Sequence, residues 1–161
     1  TVTDDIVLVS ALHDGYSRRG KGIVHRRTVE VSLKNLHISV LDEITGHDAV
    51  EHLIESKLLT PWSCTPDKYG FSALIESDRG ESLAIAFSSD KSLYLQARPI
   101  EYYPRFGQTS TGTQICCKCR TKLPFKLETR FVPYDADSFQ SYDSLMRFYD
   151  SQSKQKETQG T

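Results

Sequence analysis

Roughly eight to ten short runs of strand-forming residues, separated by turn-forming Gly, Pro, Asn and Asp, constrain this chain more than any other feature. Residues 23–33 alternate: Ile23, His25, Arg27, Val29 and Val31 fall on one face, Val24, Arg26, Thr28 and Glu30 on the other. Lys34-Asn35 then turns the chain into Leu36, Ile38 and Val40, which completes a hairpin. Residues 42–48 follow as an acidic connection around Gly46. A second hairpin joins residues 71–77 to 82–87 through Asp78-Arg79-Gly80, and Ser88-Ser89-Asp90-Lys91 leads into a run over 93–98. Pro99 and Pro104 bracket an irregular aromatic stretch, Glu101-Tyr102-Tyr103, closed by Arg105-Phe106-Gly107. Two last strands, 113–121 and 125–132, flank Lys122-Leu123-Pro124. This spacing predicts an all-β chain, a two-layer antiparallel β-sandwich. Residues 5–12 are rich enough in β-branched side chains to predict a strand buried on both faces.

Two segments are less determinate. In residues 49–59, Val50, Leu53, Ile54 and Leu58 fit a helical face slightly better than Val50, His52, Ile54 and Leu58 fit a strand interrupted at Ser56. Residues 61–66 read as a loop between two prolines. At the end, Asp137 or Ser138 can cap a short helix carrying Phe139, Tyr142, Leu145, Met146 and Tyr149, before a polar tail over 151–161 that reads as disordered. The expected organisation is a sandwich over residues 1–133 and a short helix with polar tail over 134–161.

With 161 residues the chain has room for one domain with a real core. A net charge of −1 argues against a generic nucleic-acid binder. No apolar run approaches the roughly 18 residues needed to span a bilayer, so neither nucleic acid nor membrane is expected as a partner. The opening Thr1-Val2-Thr3, without Met or signal peptide and soon strand-like, leads us to expect a piece from the C-terminal end of something longer.

Charge concentrates in one place. From His13 to Arg27 the chain carries Arg18, Arg19, Lys21, Arg26 and Arg27 with His13 and His25, against the single carboxylate of Asp14. Guanidinium forks hold carboxylate or sulfate bidentately, so this basic loop and strand suit an anionic ligand, or simply form a solvated turn. Cys117 and Cys119 share a strand face with Ile115, and Cys116 points away. One cluster with Cys64 far off lacks the paired spacing of a zinc site, so core thiols are expected and no metal or cofactor.

The stretch ALHDGYSRRGKGIVHRRTVEV resembles the Ala-x-His-Asp-Gly-Tyr segment and following His-Arg-Arg of the C-terminal β-sheet domain of the heparinase II/III family. ISVLDEITGHDAVE, YYPRFGQ and LPFKLETRF resemble further pieces of that domain in the same order: a strand with acidic turn and Gly-His, a Tyr-x-Pro-x-Phe-Gly turn, and a closing strand. The resemblance covers residues 7–131 with gaps, and makes residues 49–59 a strand. It implies a supersandwich-like fold and a bacterial parent, periplasmic or secreted, that cleaves uronic-acid-containing glycans by β-elimination. Free thiols would be unusual there, which leaves the compartment open.

Elimination at a uronate needs its carboxylate neutralised, a base for the C5 proton and an acid for the leaving oxygen. In the family those groups belong to an α/α-toroid domain and to a segment upstream of the His-Asp-Gly-Tyr region. No catalytic residue is therefore expected in this chain, which alone would be inactive. Tyr16, His25, Arg26 and Arg27 are the residues expected to contact an anionic polysaccharide or to hold the sheet onto the toroid. Alternation allows at most one of the two arginines to face a given groove, the other pairing with Glu30, Asp42 or Glu43. The other reading is a non-catalytic carbohydrate-binding or interaction sandwich, with Trp62, Tyr102, Tyr103 and Phe106 as stacking platforms.

Overall fold

The computed structural model describes residues 5–16, 22–34, 37–47, 49–67 and 72–134. Ten strands run in chain order: β1 (Ile6–His13), β2 (Val24–Ser32), β3 (His37–Thr45), β4 (His52–Thr60), β5 (Ser63–Pro66), β6 (Ser72–Glu76), β7 (Ser82–Ser88), β8 (Tyr94–Arg105), β9 (Gln108–Thr121) and β10 (Phe125–Tyr134). They form a seven-stranded sheet in the order β1-β2-β3-β10-β7-β6-β5 and a three-stranded sheet in the order β4-β9-β8. Every pairing is antiparallel. The two sheets pack as a sandwich, as the strand spacing predicts. The helix and tail expected beyond residue 134 lie outside the described residues.

The core joins β6, β7 and β10 of the large sheet to β8 and β9 of the small one. Ala73, Ile75, Ile85, Phe87, Phe125 and Leu127 meet Leu95, Ile115, Cys117 and Cys119, with Ile54 and Leu58 of β4 packed against them. Burying each large side chain contributes about 1.5–3 kcal/mol, and period-two alternation delivers all of them to one side. Cys117 and Cys119 face the core with Ile115, and Cys116 is buried on the opposite face.

Four expectations are corrected. Residues 5–12 form an edge strand, not a doubly buried one. In β1 only Val7 is half-buried, because the three-stranded sheet covers the large sheet from β10 to β5 and leaves its β1–β2 end without a second layer. The acidic connection over 42–48 begins later than expected: Asp42 to Thr45 belong to β3, held between β2 and β10. The loop over 61–66 contains β5, which pairs with β6. The aromatic stretch after Pro99 belongs to strand β8, and the irregularity expected there is confined to a shift of pairing between Tyr102 and Arg105. Pro99 is accommodated because β8 is an edge, where a missing N–H breaks no ladder bond on the outer side. Residues 52–60 are strand β4, as the resemblance implies, and Ser56 does not break it because it sits opposite Cys117.

The thiols are free, with Cys116, Cys117 and Cys119 buried and Cys64 half-buried. Burial pushes the Cys64 thiol up to about 11 and that of Cys117 up to about 12. A raised thiol holds little of the reactive thiolate at neutral pH. Maleimide labelling of the folded chain at neutral pH is therefore expected to modify at most Cys64, and slowly. The other thiols should react only after denaturation, and rapid labelling of two or more would contradict this packing.

Candidate functional site

Read across the large sheet, the antiparallel register sorts the basic residues into rows. On the core-facing side, Phe125 pairs with Ile44, Ile44 with His25, and His25 with His13. The neighbouring row runs Leu127, Asp42, Arg27, Ala11. Each row starts in the dry core at β10 and ends in solvent at β1. Asp42 stands where the dry part stops.

Its carboxylate organises the corner. Arg27 Nε donates to Asp42 Oδ1 at 2.7 Å and Nη2 donates to Oδ2 at 2.9 Å, a bidentate fork. His25 Nε2 lies 2.7 Å from the same Oδ1. The Asp42 side chain is 7% exposed and that of Arg27 52%, so the acid is buried and its partner reaches solvent. The hydrogen bond to Asp42 raises the Arg27 guanidinium above its ordinary value, and charge attraction adds to it against the opposing effect of burial. Asp42 thus fixes the tilt of the imidazole through Nε2, leaving Nδ1 as the ring nitrogen not held by it.

His13 and Tyr16 extend the corner at the open edge. Their rings meet edge to face, with centroids 5.5 Å apart and planes at 76°. The His13 imidazole folds over Gly15, where an added Cβ would come within 2.6 Å of the ring. Tyr16 is 53% exposed.

Of the residues singled out in the sequence, His25 and Arg27 share the core-facing side with His13, to which Tyr16 packs. Arg26 does not join them. Alternation turns it to the other face, opposite Glu43, whose pKa it helps lower after the larger effect of Lys126. The expected ion pair is Arg27 with Asp42. Arg18, Arg19 and Lys21 lie outside the described residues. Asp42 itself was legible only as one of three acidic partners, although Ile38, Val40, Asp42 and Ile44 continue one strand face. Among the described residues, no group of three or more His, Cys, Asp or Glu side chains is placed to hold a metal ion.

The family model for the C-terminal domain of heparinase II/III-like proteins matches residues 1–156. The chain belongs to the heparinase II/III-like C-terminal family. A search of curated proteins finds no match. Among solved structures, the heparan sulfate lyase HepC from Pedobacter heparinus superposes with a TM-score of 0.69 at 14% identity, covering 84% of this chain and 21% of that one. A heparinase III gene product gives 0.69 at 11% identity over 82% and 20%. Another heparinase III gives 0.65 at 16% identity over 83% and 20%. At these identities the likeness is one of fold, and the chain spans about a fifth of the length of these structures. This heparinase II/III-like domain carries its Asp42 corner at the uncovered end of its larger sheet.

Proposed function

We propose that this domain is the C-terminal sandwich of a polysaccharide lyase that cleaves uronic-acid-containing anionic glycans by β-elimination. The family match over residues 1–156 carries the reading, and the heparan sulfate lyase named among its structural neighbours supports the glycan class. In this reading the large sheet supports an N-terminal α/α-toroid domain of the parent chain, and its Asp42 corner contacts the substrate. Arg27 spends two N–H donors on Asp42 and offers others to a sugar carboxylate or sulfate. His25 and Tyr16 add a ring nitrogen and an exposed phenol. The catalytic base and acid would come from outside this chain, so its residues bind and orient rather than transfer the C5 proton.

The test is an assay of uronate-containing glycans, heparan sulfate first, with the protein at its full natural length and with the 161-residue chain. Full-length protein should release products carrying the ultraviolet absorbance of an unsaturated uronate, and the 161-residue chain should release none. Full-length protein that forms no such product from any uronate-containing glycan would refute the assignment.

A further inference from the structure

The hairpin of β8 and β9 outruns the sheet that holds it. The strand β4 pairs with β9 only as far as Thr60 and Thr113, whereas β8 and β9 remain paired out to Arg105 and Gln108. Beyond Gly112 the hairpin is a two-stranded arm whose residues are exposed or half-buried.

The arm ends in aromatic side chains held in water. Tyr103 is 74% exposed and Phe106, in the turn, 107%. The pairing shifts between Tyr102 and Arg105, an irregularity of the kind that re-aims side chains next to binding sites. An open cavity of about 670 Å³ lies there, lined by Tyr103, Pro104, Arg105, Phe106, Gly107 and Thr109. It is a shallow surface groove, every residue lining it being exposed. At the arm's base, a Cβ on Gly112 would meet the Thr60 carbonyl at 2.5 Å and the Tyr102 ring at 3.1 Å. Only glycine lets Tyr102 lie this close to the sheet. Trp62, two residues after Thr60 and 39% exposed, adds a further aromatic at the same end.

We propose that the tip of this arm is a second sugar site, taking an acidic residue of the polysaccharide with Tyr103 and Phe106 as platforms and Arg105 as the anion-binding fork. The inference rests on the polysaccharide reading above and places a contact outside the Asp42 corner. Charge complementarity favours an acidic sugar over a neutral one. Among the described residues that line the cavity, Arg105 is the only charged one, the exposed Glu101 lying further back along the arm opposite Thr111. The aromatic rings supply flat, rigid surface at low entropic cost, which a sugar face matches.

Calorimetric titration of the 161-residue chain with heparan sulfate, and with neutral dextran as a second probe, tests the proposal. Phe106→Ala and Arg105→Gln, both at exposed positions, are expected to weaken heparan sulfate binding about tenfold each with unchanged unfolding curves. Arg105→Gln should also flatten the salt dependence, and dextran should bind far more weakly. Wild-type affinity in both arm variants, with a loss in His25→Gln, would overturn the arm site and leave the polysaccharide reading standing. Absence of heparan sulfate binding by the unaltered chain would overturn the arm site, while the polysaccharide reading stands or falls on the full-length assay. Equal binding of dextran would overturn the acidic class. Unchanged glycan affinity in Phe106→Ala, with lost association to the remainder of the full-length protein, would make the tip a docking element instead.

Discussion

Arg27→Leu is expected to destabilise the sandwich by about 2–3 kcal/mol, and Arg26→Leu by less than about 0.5 kcal/mol, though the two arginines are adjacent. The difference follows from what each leaves behind. Without Arg27, the Asp42 carboxylate, 7% exposed, keeps only His25, and a buried charge stripped of its fork is costly. The estimate lies below the usual cost of breaking a buried pair because Arg27 is half exposed and water already screens it. Arg26 faces solvent on the other side, near a carboxylate already held by Lys126 at 2.7 Å. Urea unfolding of both variants beside the parent chain checks this through the midpoints at constant slope. Equal midpoints for the two variants would remove Asp42 from its structural role. The same comparison separates stability from binding: an Arg27 variant that loses glycan affinity must be read against its own lower midpoint.

Phe125→Ala should cost more, about 3–5 kcal/mol, and lower Tm by an amount on the order of 10 °C. Phe125 is 2% exposed and lies among Leu127 and the residues of both sheets. Truncation removes its transfer energy and leaves a cavity whose wall on the β3 side is held in place by the pairing of Phe125 with Ile44. Phe106→Ala at the arm tip, where the ring is in water, should leave Tm within about 1 °C. A Phe125 variant melting with the parent chain would mean that the sheets do not meet there.

Much of this fold was legible because its signals are local. Alternation in β2, the Asp78-Arg79-Gly80 turn and the face shared by Ile115, Cys117 and Cys119 each follow from period two within a few residues. The exposure of β1 was not legible. Ile6, Val7, Leu8 and Val9 have the composition of an interior strand, and only the width of the opposing sheet decides whether anything covers them. The limits of β3 and β8 failed for a related reason. Asp42 and Pro99 are poor strand residues taken alone, and partners distant in sequence hold them: Arg27 and Leu127 for the first, Thr113 for the second. At the site, the separation of Arg26 from Arg27 was readable from parity, whereas the approach of His13 to His25 needed the pairing of β1 with β2.

The buried acid in β3 has a consequence for alignment. Where a sheet is covered on one side, a slipped strand puts polar groups into the core, and that penalty fixes the pairing. Beyond β3 the large sheet has no such cover, and its valines could slide past one another at little cost. Asp42 supplies the missing penalty. A two-residue slip of β2 along β3 would set Asp42 against Val29 and Arg27 against Ile44, stranding a carboxylate beside an apolar side chain. One ion pair therefore spells out the reading frame of the open end, a task that side-chain fit performs in the closed one.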